Sequence, residues 1–229
     1  MISAANWWAG LSNYNSVLFP FQLIVMAVAA LLTIYMIVKP GHGSSTAMKG
    51  FLCFSMLFNG IVFFIILGGH LPAPLKYVQS GLFIAAGVLF FIDIIRNRSM
   101  LRIPLKEKHS AAALLLLIVV ALYPILGLLR GHNVTQLIYP GTLPCGSTAF
   151  ALVILAASLP CAGKPVCLLL LIWAIPFAPL IQIPVFKVYE DAIMVLTGIY
   201  TLIRLISTYR IQMKEKEGER ISNGRPEQI

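Results

Sequence analysis

Two adjacent carboxylates near the end of the chain are the residues whose type and position point most directly to chemistry. Glu190 and Asp191 follow Tyr189 at the start of a long apolar stretch, in a sequence with only eight acidic residues. An ionisable group inside a bilayer is costly and often marks a proton or ion path. Adjacent helical residues point about 100° apart, so we expect at most one of the two to face the interior. That carboxylate is predicted to bind a cation or a protonated group, with compensation of the helix dipole as the alternative.

A turn rich in proline and glycine supplies a second set of candidate groups. Residues 139–148 read Tyr-Pro-Gly-Thr-Leu-Pro-Cys-Gly-Ser-Thr and precede another apolar stretch. Free backbone N–H groups at such a helix start can hold an anion or a carbonyl ligand, and helix-start punctuation is the simpler alternative. Glutamines at similar predicted depths on three other segments either add amide groups to the site or bond neighbouring helices. We therefore predict a substrate-binding site formed by Gln22, Gln79, Cys145, Thr148, Gln182, Glu190 and Asp191.

Three further charges lie toward the opposite ends of these segments. Asp93 is followed one turn later by Arg96, and Arg204 lies at a comparable predicted depth on the last segment. We predict that they form a structural ion pair that holds two helices together, with Arg204 extending toward the interface. A proton or cation relay at Asp93 is the alternative.

Common catalytic and metal-binding motifs are missing from the sequence. It contains neither HExxH nor GxSxG, and its four cysteines form no CxxC pair. The histidines at positions 42, 70, 109 and 132 are not spaced for metal binding. We expect no enzymatic activity, no metal, no cofactor and no disulfide bond.

Long apolar segments must position all of these residues. The chain of 229 residues is 59% hydrophobic and 11% charged, whereas an average soluble domain has about 25% charged residues. A helix needs about 20 apolar residues to cross roughly 30 Å of hydrocarbon, where it must close its own backbone hydrogen bonds. We predict an all-α integral membrane protein, a bundle of about seven transmembrane helices in one domain over residues 1–209. The predicted segments are residues 17–39, 47–68, 75–95, 111–129, 146–160, 166–184 and 188–209.

Basic residues predict the orientation of this bundle. Lysine and arginine in short loops are retained on the cytoplasmic side, and most of the 17 basic residues fall there if the amino terminus is outside. The charged tail, residues 210–229, is then cytoplasmic, and we expect it to be disordered. The loop over residues 96–110 is predicted to contact anionic lipid headgroups. The net charge of +9 does not indicate nucleic acid, because the basic residues lie between apolar segments without interleaved aromatic residues.

Three short motifs resemble those of a known family. They are Trp7-Trp8 through Phe19-Pro20-Phe21-Gln22, Tyr139-Pro140 through Pro144-Cys145 to Ser147-Thr148-Ala149-Phe150, and Tyr189-Glu190-Asp191 with Gly198. In them the chain resembles a bacterial family of multi-pass membrane proteins catalogued as domain of unknown function six-zero-six-four. Gly146 departs from that pattern, in which we expect a proline. The resemblance implies a shared fold over nearly the whole chain and a place in the bacterial cytoplasmic (inner) membrane, but no activity.

The leading functional hypothesis is a protein that binds or transports a small solute or an ion through the polar site in the outer half of the bundle. A membrane sensor, scaffold or assembly subunit that uses the basic loop and tail is the first alternative. An intramembrane enzyme is the second, and a buried Cys145 in contact with a carboxylate would favour it. A retinal-binding rhodopsin is excluded because the last segment has no interior lysine for a Schiff base.

Overall fold

The computed structural model describes residues 3–68, 71–105, 107 and 109–223. Helices cover 79% of these described residues, and none of them forms a strand. Two α-helices continue as π-helices, and short 3-10 turns cover Val134–Gln136 and Tyr189–Asp191. The helices are Ala4–Leu18 (α1), Phe21–Val38 (α2), His42–Phe58 (α3, continued by the π-helix Asn59–Ile66), Ala73–Arg96 (α4), Ser110–Ala121 (α5), Tyr123–Leu129 (α6), Pro144–Ala157 (α7), Lys164–Ile172 (α8, continued by the π-helix Trp173–Gln182) and Ala192–Asn223 (α9).

Five helices in the described part of the chain are long and apolar enough to cross a membrane, which supports a membrane protein. Helices α5 and α6 together also qualify, with a bend of 52° between them, and α7 is a shorter apolar helix. All seven predicted segments therefore coincide with an apolar helix or a broken pair of helices. Seven crossings and the orientation stay predictions. The five long helices are Phe21–Val38, His42–Ile66, Ala73–Arg96, Lys164–Gln182 and Tyr189–Glu215.

Contacts between loops give the bundle two distinct ends. At one end, which we call the α1 end, the Trp8 ring of α1 stacks on His132 with 4.1 Å between ring centroids. At the other, the Leu101 N–H donates to Ser45 Oγ over 2.8 Å. We call this second end the basic end, because it carries Arg96, Arg98, Arg102, Lys164 and Arg210.

Helix α7 lies at the centre of the bundle. Every one of its 14 residues is buried, and it packs against α3, α5, α8 and α9. Fourteen residues give a length of about 21 Å, which is less than the roughly 30 Å of a hydrocarbon layer. The chain makes up the difference with residues 137–143, a buried, non-helical segment that leads into α7. We call residues 137–143 the buried connector.

Side chains from other helices satisfy the backbone of the buried connector. Tyr14 Oη donates to the Thr142 carbonyl over 2.6 Å, and Ser55 Oγ donates to the Gly141 carbonyl over 2.8 Å. Asn15 Nδ2 donates to the Leu137 carbonyl over 2.8 Å. Non-helical backbone at membrane depth is tolerated where protein groups replace the missing hydrogen bonds. Helices α1 and α3 are therefore needed to hold α7 in place.

The amino-terminal helix α1 covers the α1 end of the bundle. Its apolar residues Trp7, Leu11 and Tyr14 recur at helical spacing and are buried, which gives the helix one packing face. The Trp7 ring stacks on Phe186 with centroids 4.8 Å apart. Pro20 separates α1 from α2, because proline lacks the N–H that would continue the helix.

The predicted disordered tail needs correction over most of its length. Helix α9 runs through residue Asn223, so residues 210–223 are helical, while residues 224–229 lie outside the described residues. The segment Arg210 to Arg220 consists mainly of Gln, Met, Lys, Glu and Arg, which all have high helix propensity. Low hydrophobicity alone therefore did not distinguish a solvated helix from a disordered tail.

Candidate functional site

Asp191 is a carboxylate buried inside the helical bundle. It is the last residue of the 3-10 turn before α9, and its exposed fraction is 0%. Neither carboxylate oxygen accepts a well-formed hydrogen bond from a described residue. The Cys145 thiol and the Tyr123 hydroxyl interact with it, and the neighbouring Glu190 carboxylate repels its negative charge. No salt bridge to Asp191 forms within the described ranges.

Cys145 connects this carboxylate to the start of the central helix. Gln182 Nε2 donates to Cys145 Sγ over 3.6 Å, and the Trp173 indole also interacts with the thiol. Helix α7 begins with Pro144 and has no side-chain N-cap, so its first free N–H groups and positive dipole end lie beside the cysteine. We call Asp191, Cys145, Tyr123, Gln182 and Trp173 the Asp191 site.

Glu190, the other predicted carboxylate, has basic partners. Its Oε1 lies 3.3 Å from Arg130 Nε and 3.1 Å from His132 Nε2. The Arg130 guanidinium also lies over the Tyr189 ring, 4.5 Å from its centroid. Glu190 is therefore compensated at the α1 end, whereas Asp191 faces the interior of the bundle without a cation.

The remaining predicted site residues are only partly brought together. Thr148 is buried three residues after Cys145, on the same face of α7, and its Oγ1 has no partner within the described part of the chain. Gln79 on α4 is also buried, and no described residue forms a hydrogen bond with it. Thr148 therefore extends the Asp191 site along α7, and the contacts of Gln79 do not connect it to that site.

Gln22 belongs to a separate polar cluster. Its Nε2 donates to Asn15 Oδ1 over 2.7 Å, and Asn15 in turn bonds to the Thr135 and Leu137 carbonyls. A cavity of about 270 Å³ lies between these residues. Gln22 therefore fixes α1 and α2 against the loop before α7, which is the interhelical role predicted as its alternative.

The predicted ion pair of Asp93, Arg96 and Arg204 is replaced by a different one. Asp93 Oδ2 lies 3.0 Å from Lys49 Nζ, and the Lys49 side chain is 1% exposed. Arg96 has no salt bridge to a described residue, and the buried Arg204 has no hydrogen-bond partner for its Nε there. Lys49 lies on α3, so this pair joins α3 to α4 and not α4 to α9.

Tyr123 and Trp173 are the members of the Asp191 site that sequence reasoning missed. Tyr123 starts α6 at the bend after α5 and is followed by Pro124. Trp173 starts the π-helix that contains Pro176 and Pro179. A polar aromatic residue beside a proline-broken apolar segment is the signal that was present, since broken helices often line binding sites.

Comparisons with known proteins identify a family but no activity. The sequence model of the family described as "Family of unknown function (DUF6064)" matches residues 4–216. No curated protein and no solved structure matches the chain. Within the described residues, no group of three or more His, Cys, Asp or Glu side chains is arranged to hold a metal ion.

Proposed function

This chain belongs to the DUF6064 family, whose description carries no activity, and we propose from the Asp191 site that it binds and transports a proton or a small cation. The observation that carries this proposal is the complete burial of Asp191 without a basic partner. A buried carboxylate is stable only when it is protonated or paired with a positive charge. Described side chains supply no such charge at Asp191, and in this proposal the solute, a proton or a small cation, supplies it.

A series of charged side chains supports access from the α1 end. The Arg130 side chain is 46% exposed and that of His132 is 21% exposed, while that of Glu190 is 2% exposed. Exposure thus falls stepwise from the surface toward Asp191. Ionisable chains of this kind are typical of proton and ion paths in membrane proteins. Opening the Glu190 contacts would give a cation a polar route to Asp191.

Replacing Asp191 with asparagine is expected to abolish ion binding, because the amide keeps the shape of the carboxyl group but cannot become an anion. In proteoliposomes that contain a dye sensitive to the ion tested, imposed gradients of protons, Na⁺ or K⁺ should change the dye signal with the wild type and not with D191N. Infrared difference spectra give a readout independent of transport, because D191N lacks the C=O band of a protonated carboxyl group.

The matched control for D191N is Glu107→Gln, which removes an exposed carboxylate near the basic end. The wild type and E107Q are expected to give the same dye response and the same infrared band. If D191N also kept both signals, Asp191 would be excluded as the binding group.

A thiol-dependent enzyme is the second candidate, because Cys145 and Asp191 interact inside the bundle. The proposed ion site requires no thiol chemistry. Cys145 is buried, whereas Cys161 is half-buried, so N-ethylmaleimide should modify Cys161 first, as mass spectrometry of proteolytic peptides would reveal. Faster modification of Cys145 than of Cys161 would favour the enzyme. The sensor or scaffold hypothesis stays a prediction.

A further inference from the structure

A cavity of about 380 Å³ opens at the basic end of the bundle, and none of its lining residues belongs to the Asp191 site. It lies between the end of α4, the loop that follows it, and the loop that joins α7 to α8. Its polar rim contains Arg96 and Arg98, and its wall is apolar with Leu89, Leu155 and Val166. A cationic rim above an apolar wall suits an amphiphilic ligand with an anionic group.

The acidic residue that lines this cavity is paired with other protein groups, whereas its two arginines are not. Asp93 also lines it, but its carboxylate pairs with Lys49 and accepts hydrogen bonds from the Ser99 N–H and hydroxyl. Arg96 and Arg98 form no salt bridge with a described residue, and both are exposed. The charge free to attract a ligand is therefore positive, and two guanidinium groups bind phosphate oxygens well.

Helix α8 adds to the positive potential of the rim. It begins at Lys164, next to the cavity residue Gly163, and no side chain caps its amino terminus. Its free N–H groups and dipole favour an anion at this position. Lys164 itself is engaged with Gln212, to which its Nζ donates over 2.8 Å.

The position of the cavity indicates that the anionic group belongs to a lipid. It lies where α4 ends and α8 begins, so its rim is level with the ends of two apolar helices. Ile92, which also lines the cavity, is 37% exposed on the surface of α4, where acyl chains would lie. A soluble anion would leave the apolar wall in water. We propose that this cavity binds an anionic phospholipid, with the headgroup phosphate between Arg96 and Arg98.

Cys161 provides a direct probe, because it lines the cavity and is half-buried while the other three cysteines are buried. Its alkylation by N-ethylmaleimide would be followed by mass spectrometry in nanodiscs of phosphatidylcholine alone or mixed with phosphatidylglycerol. We expect phosphatidylglycerol to slow the alkylation severalfold. Adding glycerol 3-phosphate or inorganic phosphate to phosphatidylcholine nanodiscs should not slow it. Equal protection by either soluble phosphate would overturn the lipid as the ligand.

The double variant R96Q/R98Q is expected to lose the protection by phosphatidylglycerol. Its control, R102Q/R210Q, removes two positive charges from the same end of the bundle outside the cavity and should keep the protection. If both double variants lost the protection equally, general surface charge would explain the effect and the cavity would not be the binding site. Should R96Q/R98Q fail to fold, the single variant R98Q and the wild-type lipid series test the proposal in the same way. This outcome does not depend on ion transport at Asp191.

Discussion

Replacing Lys49 with methionine is expected to destabilise the folded protein by about 3 kcal/mol, the lower part of the range for breaking a buried ion pair. Methionine retains much of the apolar length of lysine but leaves the Asp93 carboxylate without its cation. Lys49 Nζ also donates to the Ser99 carbonyl over 2.5 Å, and that bond is lost as well. Because the Asp93 side chain is 18% exposed, water partly compensates for the loss.

Unfolding in mixed micelles with increasing denaturing detergent would measure this effect. The control is Lys39→Met, which removes an exposed lysine near the same end of the bundle and should change the free energy of unfolding little. The double variant K49M/D93L removes both charges and should recover most of the loss, since an apolar pair can replace a buried ion pair. Equal stability of K49M and K39M would contradict the role of this pair.

Gly141→Ala is the second substitution with a large expected effect. Gly141 lies in the buried connector with φ +101°, and an added Cβ would lie 2.7 Å from Val25 Cγ1 and 3.3 Å from Phe51 Cζ. The left-handed backbone costs an alanine about 1–2 kcal/mol, and overpacking a core adds about 1–3 kcal/mol. We therefore expect G141A to lose at least about 2 kcal/mol of stability.

The matched control for G141A is Gly131→Ala. Gly131 has φ +84° with nothing within 4 Å of an added Cβ, so it carries the backbone strain without the collision. Thermal unfolding should place G131A between the wild type and G141A. In V25A/G141A, removal of the Val25 methyl groups should recover part of the packing loss. If G131A and G141A were equally stable, the close packing around the buried connector would be refuted.

The apolar segments were predictable because a membrane helix is defined by local composition. The seven segments, 17–39 through 188–209, each coincide with an apolar helix or a broken pair. The residues at their ends were less predictable. Helix α1, Ala4–Leu18, lies mostly before the first predicted segment, and its packing face becomes clear only when Trp7 meets Phe186.

The ion-pair partners of the charged residues could not be predicted, because they depend on tertiary contacts that no local sequence pattern contains. Lys49 is one of the 17 basic residues whose distribution predicted the orientation. Helix α3 turns its side chain toward Asp93, which lies far from it in the chain. The pattern predicted that at most one of Glu190 and Asp191 would face the interior, but both side chains are buried. They differ in their partners, because only Glu190 meets Arg130 and His132, in the loop after α6.

The weakest step in predicting the candidate site was to group polar residues because they lie at similar predicted depths in the membrane. It correctly joined Cys145 to Gln182, whose helices pack together. It also included Gln22, which the turn at Pro20 directs toward Asn15. Depth gives one coordinate of a residue in a bundle, and the direction in which each helix faces gives the other.

The complete burial of α7 has a consequence for biogenesis. Residues 144–157 contact protein on all sides, yet α8 and α9, which form part of that surround, follow them in the chain. While the ribosome is still synthesising α8 and α9, the nascent α7 lacks part of its final environment, and its hydroxyl-bearing start lacks Trp173, Gln182 and Asp191 beside it. Assembly of the centre of this protein must therefore finish late, when the last helix closes around a segment synthesised well before it.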